Sequence, residues 1–300
     1  MKATVCPIRF AGNPCLNAMP SDFPRRSAAL VLLAMSVAFA ALPARAQQAD
    51  EPSRPLWEAG VAVLGLHSPD YPAAASHRWR GAAAPVVIYR GKRLRVDDEG
   101  VRGRLVDTGR FELDVSGAAG FNARQSPARD GMPPLDYTFE LGPQAIYRIP
   151  LGAGQQVSAH LKARAVVSTN GRRSHGRGAV VEPELRWQRR GWPDAASQIQ
   201  LSAQATWASE ALQDYFYQVD PVFGTAARPA YNAHGGYFGS ALRAGISRRL
   251  NATTVVNFSA SANHHGGAAN VASPLFQRRA TAGMFVAVVW TPLRSSQAAP

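Results

Sequence analysis

Residues 198–207, QIQLSAQATW, set Ile199, Leu201, Ala203, Ala205 and Trp207 against Gln198, Gln200, Ser202, Gln204 and Thr206. Successive side chains of a strand point to opposite faces, so this stretch predicts a strand with one apolar and one polar wall. The pattern recurs along the chain. It predicts strands over 57–66, 83–90, 93–97, 101–106, 111–121, 137–149, 157–167, 179–190, 236–248, 251–263 and 278–290. The result is an all-β chain of about twelve strands, with ten or fourteen as the neighbouring even counts. No segment carries a helical period.

Length and connection pattern separate a membrane barrel from a soluble sandwich. Several predicted strands run ten residues or more, the length a tilted membrane strand needs and about twice the globular mode. From 122 onward the connections alternate in length: long at 122–136, short at 150–156, long at 168–178, short at 191–197. They continue long at 208–235, short at 249–250 and long at 264–277. Short turns on one side and long loops on the other predict an antiparallel transmembrane β-barrel. Phe111 and Phe121 bracket one strand on its apolar face, roughly 33 Å apart at strand rise. Tilting makes that about 25 Å of height, the spacing of two aromatic girdles. Trp57, Tyr89, Trp187, Trp207 and Trp290 also fall at strand ends. Pro143 and Pro183 lie inside predicted strands, where a closed barrel offers no edge, so bulges are expected there.

The N-terminus reads as a secretory signal over 1–46. Arg25 and Arg26 precede an apolar run from Ala28 to Leu42, and Ala44 and Ala46 frame a small-x-small cleavage site. The run is shorter than the roughly 20 residues a spanning helix requires. Met19 is the alternative start, giving a signal of ordinary length. Next come a polar leader at 47–56, the barrel at 57–290 and a polar tail at 291–300 that hangs into the periplasm. Cleavage removes both cysteines, Cys6 and Cys15, so the mature chain is held without disulfides. It also removes five of the 33 basic and one of the 20 acidic residues, leaving 28 against 19 and a charge of +9. The arginines are scattered over strands and loops with no nucleic-acid module, so nucleic acid is not an expected partner.

Several short motifs in order carry a family resemblance: W-x-x-G with P-D-Y-P (Trp57, Gly60, Pro69 to Pro72), I-Y-R-G (Ile88 to Gly91) and E-L-G-P (Glu140 to Pro143). D-Y-F-Y-x-V (Asp214 to Val219), R-P-x-Y-x-A-x-G-G (Arg228 to Gly236) and S-P-L (Ser273 to Leu275) follow. The mature chain resembles the MltA-interacting protein/OmpV family of Gram-negative outer-membrane proteins. The resemblance implies an outer-membrane location with outer-membrane lipid around the barrel. It implies a scaffold role, with a lytic murein transglycosylase and a penicillin-binding synthase as partners; other members are porin-like or adhesive. The tail after Trp290 departs from the usual terminal aromatic residue.

No catalytic constellation, cofactor motif or metal-ligand spacing stands out, and the chain is expected not to be an enzyme. Ser158 and His160 share a predicted inner face, but in the reverse order of the usual barrel-hydrolase pair and with no acid fixed nearby. His264 and His265 point to opposite faces of a strand, and with His175 and His234 they read as loop histidines without a metal. Glu112, Asp114, Glu140, His160, Lys162, Arg164, Glu182, Glu184 and Arg186 all fall on the polar face. There they are candidates to line the lumen, either as a selective channel or, as favoured here, as a cross-braced filling. Asp70, Tyr71, Asp214, Tyr215, Tyr217 and Tyr231 are candidates for an exposed contact loop, with folding into the barrel mouth as the other reading. A scaffold or envelope-interaction protein and a small-solute channel are the two functions the chain supports. The sequence sets no oligomeric state.

Overall fold

The computed structural model describes residues 55–90, 94–97, 100–103, 106–107 and 109–299; the proposed signal and its cleavage residues Ala44 and Ala46 lie outside them. The long strands are β1 (Trp57–Pro69), β2 (His77–Arg90), β6 (Phe111–Gly120), β7 (Tyr137–Gly152), β8 (Gln155–Thr169) and β9 (Ser174–Arg190). They continue with β10 (Ser197–Ala208), β11 (Gly236–Arg249), β12 (Thr254–His264) and β13 (Ala280–Arg294). Between β2 and β6 lie three short pieces, β3 (Leu94–Asp97), β4 (Gly100–Gly103) and β5 (Val106–Asp107). β4 and β5 both fall in the region read from sequence as one strand.

These segments form one antiparallel sheet, ordered β4-β3-β2-β1-β13-β12-β11-β10-β9-β8-β7-β6-β5. Sequence neighbours pair throughout except β4 and β5, the two ends of the sheet, and β1 pairs with β13. The sheet curls until β4 lies within 8 Å of β6 between Cα atoms, so its two ends meet. Bringing the ends together shortens the exposed edge that a sheet in hydrocarbon cannot satisfy. The architecture is the antiparallel β-barrel that the alternation predicts.

The two faces separate as the alternation requires. Leu161, Leu185, Leu201, Leu242, Phe258 and Val286 are exposed on the outer wall, with Trp57, Phe111, Tyr147 and Trp290 toward the short-turn end. Trp79, Tyr137, Phe139 and Trp207 stand exposed toward the other end. An outward apolar band with an aromatic residue row at each rim is the signature of a lipid-facing surface. Among the described residues no helix is long and apolar enough to span a membrane.

Four local features differ from the sequence expectation. First, the stretches 67–80 and 168–178 are mostly strand: β1 and β2 extend to a compact turn at 70–76, and β8 and β9 to a turn at 170–173. Second, neither interior proline makes a bulge. Pro143 faces Val115 in unbroken register on one side. Toward β8 the ladder lapses after Leu141–Ala165 and resumes at Gln144–Lys162 in the same register. Pro183 faces Leu161 in register, and the lapse there lies toward β10 between Gln204–Glu184 and Trp207–Val181. The chain omits a few hydrogen bonds instead of inserting a residue. Gly142 makes this possible, since a Cβ there would stand 2.0 Å from the Ala163 carbonyl oxygen.

Third, the region 208–235 contains a helix, α1 (Glu210–Tyr217), with Leu212, Gln213, Tyr215 and Tyr217 buried. It spans only about two turns, too short for a repeat to register as a helical period. Fourth, the tail does not hang free. β13 runs on to Arg294, the Ser295 amide donates to the Trp57 carbonyl at 2.9 Å, and the Leu56 amide donates to the Gln297 carbonyl at 2.8 Å. The tail is laid against the last residues of the leader, because both would otherwise leave backbone groups unpaired at the barrel rim.

Candidate functional site: a braced interior beneath a folded cap

On the inner wall, the alternation that sends Leu161 and Leu185 outward turns Lys162, Arg164, Glu182 and Glu184 inward on adjacent strands. Direct register pairs His160 with Glu184 and Lys162 with Glu182. Lys162 Nζ lies 2.7 Å from Glu182 Oε1 and also bonds Glu184. Arg164 bridges Glu140 at 2.8 Å and Glu182 at 3.4 Å, and Arg186 donates to Glu184 at 2.7 Å. Gln204 of β10 donates to Glu182 at 3.0 Å. Three acids and three bases thus form one neutral chain across β7, β8 and β9, with Gln204 of β10 joined to it. A second pair, Arg148 with Glu112, sits nearer the short turns, beside buried Asp114. The structure gathers all nine candidate lining residues on one inward-facing wall. Neutral, multiply bonded ion pairs are the arrangement in which little-solvated charge is tolerated.

Ser158 and His160 are also brought together, with Oγ 2.8 Å from Nε2. Both are almost fully buried. The backbone on either side of them is engaged in the ladders to β7 and β9.

At the long-loop end the connections fold over the barrel as a cap with its own core. Tyr71, Leu135, Leu212, Tyr215, Tyr217, Val219 and Leu275 form one buried cluster, drawn from the connections after β1, β6, β10 and β12. Polar bonds tie these loops to one another. The Tyr217 hydroxyl donates to the Pro72 carbonyl at 3.0 Å, and the Tyr71 hydroxyl donates to the Leu275 carbonyl at 2.8 Å. Asn270 donates to Gln213 at 2.9 Å, both fully buried. Arg129 donates to the Phe216 carbonyl, and Arg228 to the carbonyls of Ala128 and Asp130. Asp70 is clasped by Arg78, Arg80 and Ser76 at 2.6–2.8 Å.

This corrects the expectation of an exposed contact loop. Asp70, Tyr71, Tyr215 and Tyr217 are buried, and Asp214 and Tyr231 are half-buried. The aromatic side chains bury more area by packing on one another than by facing water, and their hydroxyls find carbonyl partners. Burial pushes the Tyr71 hydroxyl up to about 12, with Arg129 opposing, and raises Tyr217 further. Burial also lowers the Arg129 pKa and raises that of Asp214, which Glu210 and Asp220 reinforce. Burial lowers the pKa of His265, which packs edge-on to Phe276 with its ring 3.4 Å from the Phe238 carbonyl.

Sequence reading missed the residues that fasten the cap: Arg129, Gln213, Arg228 and Asn270. Their partners are backbone carbonyls or one another across long sequence separations, which no local pattern encodes. Ser209 ahead of Leu212 and Tyr215 was the one available helix-start signal. In the structure the Ser209 hydroxyl accepts from the Ala179 amide at 2.9 Å, anchoring the helix to β9 instead of capping it.

A family model described as MltA-interacting protein MipA matches residues 61–292. No curated relative matches the chain. Among solved structures, an outer-membrane channel of the COG4313 group from Pseudomonas putida F1 is similar at 12% identity and a TM-score of 0.45, covering 82% of this chain and 99% of that one. The NanC porin is similar at 6% identity and a TM-score of 0.38, covering 77% of this chain and 100% of that one.

Proposed function

On the premise that the chain belongs to the MltA-interacting protein family and is an outer-membrane β-barrel, we propose that it is a non-enzymatic scaffold for murein-remodelling enzymes. The observation that carries this reading is the cap. Three long connections and the turn after β1 share a buried aromatic core over one end of the barrel, and the charged wall beneath is paired within itself. A barrel that spends its long loops on closure, and its interior charges on one another, is suited to holding a rigid platform in the membrane. The family name supports a lytic murein transglycosylase as one partner, and a penicillin-binding synthase is the companion in this reading.

The test is reconstitution. The protein, purified from outer membranes in detergent, is mixed with a purified lytic transglycosylase of the same host and examined by analytical ultracentrifugation. A complex that survives physiological salt supports the scaffold; no complex with any such enzyme, at concentrations that saturate ordinary interfaces, contradicts it. A small-solute channel is the second reading, favoured by the polar, partly exposed inner wall of β10 to β12.

A further inference from the structure

The short-turn end of the barrel carries a feature that the scaffold reading does not use. Arg90, Arg110, Arg148, Arg190, Arg249 and Arg294 all stand at the short-turn ends of their strands, and strand parity turns each of them inward. Arg90 and Arg148 are held by Glu58 and Glu112 on that inner face. Arg190 follows buried Gln188 by two positions and donates to Gln198 at 3.2 Å. Arg294 is opposite buried Glu58, and Arg110 precedes outward-facing Phe111. Arg249 shares the parity of Arg243, which stands directly opposite buried Ser202.

The charges do not cancel. Arg110, Arg190, Arg249 and Arg294 are exposed, and among the described residues none has an acidic partner. The turns that carry them are laced together. The Arg190 amide donates to Gly154, the Arg249 amide to Ala196, and the Thr291 amide to Thr253, each at 2.8–2.9 Å. The turns thus hold the backbone of an inward-directed arginine rim at the short-turn end.

Deeper inside, Arg243 stands out. The inward bases Lys162, Arg164 and Arg186 are each bound to a carboxylate, whereas Arg243 has no acidic partner among the described residues and remains exposed. Its cross-strand neighbours are Ser202 and Ser261, and Gly245 and Gly283 leave room beside it. A guanidinium flanked by two hydroxyls is a donor set for an oxyanion.

We propose that the barrel is an anion-binding vestibule entered from the short-turn side. The arginine rim concentrates small solutes bearing carboxylate or phosphate groups, and Arg243, with Ser202 and Ser261, binds them. Rings of arginine select anions in this way, and low-dielectric walls focus the field into the opening. The cap leaves the long-loop end closed, so the site is a dead-end receptor and not a passage. The inference goes beyond the scaffold reading and stands or falls independently of it.

Calorimetric titration of citrate and of inorganic pyrophosphate, into the intact protein in zwitterionic detergent at low salt, tests it. Saturable binding near one equivalent is expected, tighter for whichever oxyanion class the site serves. Arg243→Gln is expected to weaken it at least tenfold. The rim variant Arg190→Gln/Arg249→Gln/Arg294→Gln is expected to weaken it and flatten its salt dependence. Circular dichroism and heat-modified gel mobility establish that each variant is folded. Folded wild type without saturable binding, or folded Arg243→Gln that binds like wild type, overturns the proposal.

Discussion

The Tyr217 hydroxyl lies 3.0 Å from the Pro72 carbonyl oxygen, joining the helix after β10 to the turn after β1 across 145 residues of chain. Tyr217 is fully buried, and Phe238 and Phe276 pack against its ring at 5.9 and 6.2 Å. This contact pins two loops that share no strand pairing, and the cap depends on it. Tyr217→Ala should cost about 3–5 kcal/mol of cap stability, and Tyr217→Phe about 1 kcal/mol through the lost hydrogen bond. Hydrogen exchange is the check: amides of 209–235 should lose protection in the alanine variant while those of β7 to β9 keep theirs.

The inner wall makes a separate prediction. Glu182 accepts from Lys162, Arg164 and Gln204, with little solvent on any of the three ionised side chains. Glu182→Gln leaves the two cations undercompensated and should cost about 3–5 kcal/mol. Gln204→Ala, which removes only a neutral partner, should cost about 1–2 kcal/mol. Guanidinium midpoints of the barrel refolded into vesicles will separate the two.

Acidification should loosen one corner of the cap. Burial, with His264 adding to it, holds His265 below the usual histidine range, and the Phe238 carbonyl only partly offsets this. The folded cap therefore disfavours the proton that the unfolded segment accepts. Stability is full above the ordinary histidine pKa of about 6.5, falls as pH drops through that value, and levels off below the depressed folded pKa. Protection factors over 264–279, corrected for the intrinsic pH dependence of amide exchange, should fall between pH 7.5 and 5, and His265→Phe should flatten that response.

The two walls should respond oppositely to the same substitution. Leu201 is exposed on the outer face at mid-strand, and its neighbour Gln200 points inward beside Gln188. Leu201→Arg should cost about 2–4 kcal/mol in a lipid bilayer, whereas Gln200→Arg should change stability little. Folding titrations in vesicles against detergent will show whether the penalty belongs to lipid.

What the sequence made legible was whatever repeats with period two. The all-β architecture, the charged wall from Glu140 to Arg186, and the outward aromatic residues follow from alternation, because pleating ties sequence parity to a face. The count does not, since about twelve strands were expected and ten long ones with three short pieces are found among the described residues. The cap was not legible. Its helix is too short for a period, and the partners of Tyr71, Tyr217 and Asn270 lie 204, 145 and 57 residues away. The aromatic residues of 214–231 looked like a contact surface because local composition cannot report what the loops bury against. Pro143 and Pro183 misled in another way: a bulge was the expected remedy, but a neighbouring glycine and a short lapse in the ladder served instead.

The central claim is that the folded cap closes the barrel, and single-channel recording tests it most directly. The intact protein, reconstituted into planar lipid bilayers and verified as folded, should insert without conductance steps, and Tyr217→Ala should produce them. Reproducible open steps from the unaltered protein would contradict the account and make the barrel a channel.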